Sequence, residues 1–204
     1  MKKLLLLSIL FYGLQLSAQT TFSNDVYKGK FSNTLHVPLW VSYTLYKGGG
    51  ECSRDGIKFI NDKPELQTAT DDDYANNTGP YDKGHLCNAE DFANDCHKDS
   101  LTFRYYNCLP QTTKLNRGIW KSNETQIRDW SKTQKLFIIC GGWFSNKKMH
   151  EVAVPDYCWK VVQSYKTKEV LFCGWFSNTK NARVEEIMVT ELEKRLKSKL
   201  NLMK

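Results

Sequence analysis

The stretch Tyr81-Asp82-Lys83-Gly84-His85-Leu86 is followed downstream by Asn107-Cys108-Leu109-Pro110-Gln111, and then by Asn116-Arg117-Gly118-Ile119-Trp120, Glu124 and Arg128. Four histidines occur in the chain, and a histidine taken singly is more often structural than chemical. His85 stands apart from His36, His97 and His150. Gly84 lets the backbone approach closely or take an unusual turn, while Asp82 and Lys83 set charge beside the ring. With an ordinary pKa of about 6.5, such an imidazole is largely free to accept a proton at neutral pH. On a helix, Asn116 and Glu124 lie about 80° apart around the axis, and Glu124 and Arg128 about 40° apart. Three polar side chains then line one flank, while Trp120 and Ile127 anchor the segment to a core. A plain surface helix with a Glu124–Arg128 pair, worth about a few tenths of a kcal/mol, has the same spacing. The combination with His85 is what calls for chemistry.

Outward from that centre, residues 35–46 alternate in part and are rich in Val, Leu, Trp and Tyr, which predicts a strand ended by Gly48-Gly49-Gly50. Residues 61–80 are polar and predict a long surface loop, with Asp71-Asp72-Asp73 read as solvated in preference to calcium-binding. A short strand is expected over 101–109 and a helix from near Gly118 to near Ser131. Leu136-Phe137-Ile138-Ile139-Cys140 predicts a buried strand closed by Gly141-Gly142. Residues 152–162 and 169–176 predict two more strands, and 184–200 a helix with Leu192, Leu196 and Leu200 on one face. The basic residues of that last helix read as a solvated face. No internal repeat or low-complexity linker divides the chain, and the irregular interleaving of strands and helices gives an α+β class.

The chain opens Met1-Lys2-Lys3, continues with an apolar run from Leu4 to Phe11, and reaches Leu16-Ser17-Ala18-Gln19. A basic head, a run too short to span a bilayer and a small residue before Gln19 predict a secretory signal over 1–18, cleaved near Ala18. The product would be secreted or periplasmic, with no stable membrane insertion. About 186 residues would remain, one domain over 19–204 that buries roughly 70% of its unfolded surface. The formal charge of +7 becomes +5 without Lys2 and Lys3, which favours polyanionic partners but does not identify one. Seven cysteines remain, so disulfides are expected in an oxidising compartment and at least one thiol has no intrachain partner. Zinc on Cys87, Cys96, His97 and Cys108 is disfavoured, because the tight paired-cysteine hooks of structural zinc sites are missing.

Phosphodiester hydrolysis needs a deprotonated water, charge neutralisation on a phosphorane-like transition state, and help for the departing oxygen. Mg²⁺ prefers oxygen ligands and keeps several waters, so one amide oxygen such as that of Asn116 suffices to hold it. Glu124 would orient the metal waters. His85 would be the general base, a role contributing about 10²–10⁴-fold. The metal would act as Lewis acid, and an arginine fork at Arg128 suits phosphate oxygens.

These ordered stretches resemble the DNA/RNA non-specific endonuclease family, ββα-metal nucleases marked by an Asp-Arg-Gly-His motif. Tyr81 to Leu86 looks like that signature, and Asn107, Pro110 and Gln111 like its Asn-x-x-Pro-Gln strand end. Asn116, Gly118, Trp120, Glu124 and Arg128 keep the spacings of its metal-bearing helix. Arg54, which stands 28 residues before Asp82, resembles the family's substrate-binding arginine. Phe59, Pro64-Glu65-Leu66, Val154-Pro155, Trp159-Lys160 and Glu191-Leu192-Glu193 extend the likeness over most of the chain. The resemblance implies a central antiparallel sheet flanked by helices, with a ββα finger presenting His85 and Asn116 across one metal. It makes His85 the base, Asn116 the sole protein ligand of Mg²⁺ (with Mn²⁺ or another divalent cation able to substitute), and Glu124 the holder of its waters. It makes Asn107 a support and Arg54 and Arg128 phosphate contacts, with Lys83 and Asp82 counted in the substrate-binding set. DNA and RNA would both be cut to 5′-phosphate products without strong sequence preference.

Two departures stand out. Lys83 replaces the signature arginine, so a planar fork becomes a point charge. Cys87 follows the motif where a small residue or proline is usual, and a local disulfide to Cys96 or Cys108 is expected to pin it. The rival reading is a non-catalytic secreted nucleic-acid-binding module on the same scaffold, which would not need His85, Asn116 and Glu124 together. A narrower phosphodiesterase or an interbacterial toxin is a third reading, and no toxin-delivery segment is visible.

Overall fold

Residues 157–164 read Tyr-Cys-Trp-Lys-Val-Val-Gln-Ser, and all but the first are buried. A strand this uniformly buried must be covered on both faces. The computed structural model, which describes residues 19–75 and 81–204, shows how. The expected export signal lies outside the described residues, as does the end of the predicted loop at 76–80.

In chain order the strands are β1 (Gln19–Ser23), β2 (Tyr27–Ser32), β3 (Val37–Leu45), β4 (Tyr81–His85), β5 (Cys108–Thr112) and β6 (Leu136–Trp143). They continue with β7 (Lys148–Met149), β8 (Val152–Ala153), β9 (Tyr157–Ser164), β10 (Val170–Ser177) and β11 (Val184–Glu186). The helices are α1 (Asp71–Ala75), α2 (Cys96–Leu101), α3 (Lys121–Ser131) and α4 (Val189–Leu196). Seven strands form one antiparallel sheet in the order β1-β2-β3-β6-β9-β10-β11. β4 and β5 pair separately, with His85 opposite Cys108, and α3 follows them to complete a ββα unit. The α+β class and the central antiparallel sheet are as the sequence indicated.

Strand alternation sorts β9 between two cores. Cys158 and Val162 join the large cluster, which also holds Leu86, Leu109, Leu115, Trp120 and Ile127 of the ββα side. Trp159 and Val161 join a smaller cluster on the opposite face, covered by Leu192 of α4 together with Leu196 and Leu200. Lys160 therefore points to the ββα side, fully buried.

Several expected boundaries moved. Gly141 and Gly142 lie inside β6: a Cβ on Gly141 would stand 2.2 Å from the Leu39 carbonyl oxygen, so glycine there admits a close neighbouring strand. The strand expected over 101–109 is instead the end of α2, a 3₁₀ turn at Tyr105–Asn107, and only then β5. The reason is Asn107, whose amide donates to the Cys87 and Thr102 carbonyls while its Oδ1 accepts from the Cys87 N–H. Pro155, which lacks an N–H, falls between β8 and β9 and splits the strand expected over 152–162. The tail makes β11 before its helix. The predicted loop over 61–80 contains α1, whose Asp71 carboxylate meets Lys83 and the Tyr105 hydroxyl.

The cysteine expectation is corrected as well. The disulfide joins Cys52 to Cys96 across a sequence separation of 44, and Cys87 and Cys108 are buried free thiols. Cys96 opens α2, where it can reach the irregular segment after β3, and with Cys96 taken the zinc set is broken. Peptide mapping under non-reducing conditions should recover the Cys52–Cys96 cross-link, with Cys87, Cys108, Cys140, Cys158 and Cys173 free. Replacing both bridged cysteines with serine should lower unfolding stability in urea by about 2–4 kcal/mol. A cross-link to Cys87 would contradict this pairing.

Candidate active site

The end of β4 and the start of α3 are fastened together by Trp120. Its ring is fully buried, and its Nε1 donates to the His85 carbonyl at 3.2 Å. Gly84 is required on the strand, since a Cβ there would stand 2.2 Å from Gln111 Oε1. The turn Leu115–Trp120 is wider than an α-helix and breaks at Gly118 (φ −105°, ψ −113°), so regular helix begins at Lys121, three residues later than expected. These constraints open a cleft of about 440 Å³ lined by Arg54, His85, Asn116, Glu124 and Arg128. Asn88, Ala89, Glu90, Arg117 and Lys121 complete its wall. The structure thus brings together five of the side chains singled out in the sequence.

His85 is partly buried, with its ring between Phe59 and Phe103, each centroid 4.9 Å away. Its Nε2 is sealed from water and has no hydrogen-bond partner. Burial, reinforced by the positive charge of Arg54, lowers the imidazole pKa to about 3. The ring is therefore held neutral far more firmly than an unperturbed histidine.

Asn116 donates its Nδ2 to Asp82 Oδ2 at 3.0 Å. Because a carboxylate accepts, this bond settles which end of the amide is nitrogen, and Oδ1 accepts no hydrogen bond from the described residues. Arg117 forks onto both Asp82 oxygens, at 2.8 and 2.7 Å. Both oxygens of Asp82 are thereby engaged inside the protein, one of them holding Asn116. Burial opposes ionisation of Asp82, but Arg117 and Asn116 outweigh it and keep the carboxyl below its ordinary range.

Glu124 lies beside Lys160, with Nζ to Oε1 at 4.0 Å, and burial pushes its carboxyl up against the opposing pull of Lys160, Asn88 and Arg128. Arg128 does not pair with Glu124. Its Nη1 donates to the buried Asp91 at 2.9 Å, and its Nη2 to the Thr125 hydroxyl at 3.3 Å. Asp91 also accepts from the Tyr43 hydroxyl at 2.9 Å. Arg54 is ion-paired with Glu90 at the rim. Asn107 is fully buried behind the cleft as a backbone clamp. Lys83, expected to face phosphate, does not line the cleft; its ammonium meets Asp71 and the faces of nearby aromatic rings.

Sequence reading gave no role to Asp91, Lys160, Arg117 or Lys121, although Arg117 and Lys160 stand in stretches it quoted. A signal existed for Lys160, a lysine in the middle of an apolar run with no solvated face. None existed for Asp91, whose partners lie on distant elements.

A family model described as DNA/RNA non-specific endonuclease matches residues 9–193. The chain belongs to that family. A chain from the crystal structure of the EndoG/EndoGI complex, solved to explain EndoG inhibition, shares the fold with a TM-score of 0.69. The two are 19% identical, over 86% of this chain and 82% of the other. No curated protein matches in sequence. In this DNA/RNA non-specific endonuclease, the histidine ring is enclosed between Phe59 and Phe103.

That enclosure gives a measurable consequence. With the folded value depressed, the unfolded chain takes up the proton first. This imidazole's share of stability is complete above about 6.5 and is lost as pH falls from there toward 3. His85 ring signals followed by NMR should stay put from about pH 8 to pH 5, where a free imidazole titrates. An inflection near pH 6 would contradict the sealed ring.

Proposed function

We propose that this family member is a secreted or periplasmic, metal-dependent endonuclease that hydrolyses phosphodiester bonds in DNA and RNA without strong sequence preference. One observation carries the reading: the His85 imidazole and the Asn116 amide, far apart in sequence, line the same cleft. The donor set suits a hard, largely hydrated cation. Asn116 offers one unpartnered amide oxygen, and among the described residues no cluster of three or more His, Cys, Asp or Glu side chains exists for a softer metal. Mg²⁺, or Mn²⁺ in its place, would supply Lewis acidity and charge neutralisation at the phosphate and its leaving oxygen.

The protein's own groups do the rest. His85 takes the proton from the attacking water, using the neutral ring that burial secures. Asp82 fixes the amide of Asn116 through Nδ2, which aims Oδ1 away from itself. Glu124 is placed to accept hydrogen bonds from water in the cleft. Arg128, held by Asp91, and Arg54, at the rim with Glu90, offer guanidinium forks to phosphate oxygens. Lys121 and Arg117 add positive charge along the same wall. Cleavage would break the P–O3′ bond, leaving a 3′-hydroxyl on one fragment and a 5′-phosphate on the other. Export through a signal over 1–18, leaving one domain over 19–204, is supported by the Cys52–Cys96 disulfide, since such bonds persist in oxidising compartments. Among the described residues no helix is long and apolar enough to cross a membrane.

The non-catalytic alternative would tolerate loss of the base. Purified protein should nick supercoiled DNA and shorten folded RNA, and a chelator should stop both. His85→Ala should lower turnover by about 10²–10⁴-fold with nucleic-acid binding nearly intact. Cleavage that survives His85→Ala would remove the base, and a wild-type protein that binds DNA without cutting it under Mg²⁺ would favour the binding module.

A further inference from the structure

Along β4 the side chains of Lys83 and His85 project to the same side of the strand, because alternate residues share a face. The Lys83 ammonium lies 5.4 Å from the Phe59 ring centroid, 5.7 Å from that of Tyr74 and 5.5 Å from that of Tyr105. Asp71 caps the ammonium, and the Tyr105 hydroxyl donates to that same carboxylate at 2.6 Å. An ammonium over three ring faces with a carboxylate on its open side has its charge fully answered. Phe59 is shared between this cage and the cleft: one neighbour of its ring is the Lys83 ammonium, another is the His85 imidazole at 4.9 Å. Phe103 closes the other side of the imidazole. The backbone around Phe59 has sparse support of its own. Between Cys52, tied to Cys96 and to the Ala93 carbonyl, and Ile60, tied to Phe103 and Tyr105, the backbone makes only local bonds, Ile57 N–H to the Arg54 carbonyl and Asp55 N–H to the Ser53 hydroxyl.

We propose that Lys83 is a positioning residue for His85: its caged ammonium fixes the Phe59 ring against the imidazole, and it does not contact nucleic-acid phosphate. The proposal rests on His85 being the base. It gives the lysine in this chain's signature a reason distinct from phosphate attraction. A compact point charge fits among three ring faces, while the arginines already lining the cleft supply the planar forks.

The test compares Lys83→Met, Phe59→Leu and the double variant with wild type in three measurements. Turnover of DNA under Mg²⁺ should fall about ten- to a hundredfold in Lys83→Met at nearly unchanged KM, the loss expected when a reacting group is misplaced. Binding of a short DNA duplex in chelator should keep the wild-type dependence on salt. A lost phosphate contact would instead raise KM and flatten the slope of log affinity against log salt by about one. The His85 ring protons, shielded by Phe59 in wild type, should shift in both single variants. The double variant should be no worse than the poorer single one, because both act through the same ring. A flattened salt slope, additive losses or unmoved His85 signals would each overturn the proposal. If Lys83→Met does not fold, Asp71→Asn, changed at a largely exposed carboxylate, loosens the cap and should move the same His85 signals; unmoved signals there also overturn it. If wild type cuts nothing, the endonuclease reading falls, while the salt slope and the ring signals still decide the role of Lys83.

Discussion

Lys160 is fully buried in the middle of a central strand, and the placement of the cleft depends on how its charge is met. Its ammonium makes no hydrogen bond, lies 3.9 Å above the Trp120 ring and 4.0 Å from Glu124. A second buried pair, Arg128 with Asp91, is locked to the sheet by Tyr43 of β3. The first pair joins β9 to α3, and the second joins α3 to the turn carrying Asp91, which Tyr43 ties to β3. Desolvating such ions costs several kcal/mol each, so their value as net stabilisers is doubtful on general grounds. Their better use is in orientation. Two cation–anion contacts of opposite polarity, one turn apart on α3, accept a single rotation of that helix about its axis, and any other would leave an ion alone in the core. Trp120 and Ile127 supply the apolar adhesion, and the ions choose the angle.

The rim follows the same logic with weaker stakes. Arg54 is matched by Glu90 and Arg117 by Asp82, both near water, where such pairs contribute little to stability. Their service is to hold guanidinium groups in place while no anion is bound. On the proposed function, a polyanion entering the cleft would exchange one anionic partner for another, with side-chain entropy already lost. Asp82 shows how a carboxylate is accommodated beside the cationic wall of the cleft. It serves the chain through Asn116, and Arg117 offsets its charge.

How much of this was legible in the sequence varies with the range of the interaction. The α3 segment, its anchors Trp120 and Ile127, and the β6 and β10 strands follow from periodicity, which is local. The misread positions are those where a distant element imposes the answer. Gly141-Gly142 has the composition of a stop, yet it lies inside β6 because Leu39 on the neighbouring strand presses against it. Cys87 had nearby cysteines to pair with, but the bridge formed by Cys96 runs to a segment 44 residues away. In the cleft, residue types and spacings were enough to collect His85, Asn116, Glu124 and Arg128, and the family resemblance added Arg54. They did not reveal that Arg128 answers to Asp91, since a Glu at i−4 is the obvious local partner. Lys83 and Asp82 entered the substrate-binding set through the signature motif they resemble. Their actual neighbours, an aromatic cage and an amide, are tertiary.

His85 shows why the environment matters more than the residue. A reference pKa near 6.5 describes a ring in water, and this ring is packed between Phe59 and Phe103 beside a guanidinium. Its sealed Nε2 leaves Nδ1 as the nitrogen that can meet water in the cleft. For Nδ1 to accept a proton, the ring's own hydrogen must reside on Nε2, buried without an acceptor. A buried donor left unpaired is uncommon in folded proteins and marks a site held against its local preference. The same enclosure makes the imidazolium, once formed, a poorly solvated cation near Arg54. It holds its new proton weakly and surrenders it readily. In the proposed role of base, that enclosure trades basicity for quick release of the proton.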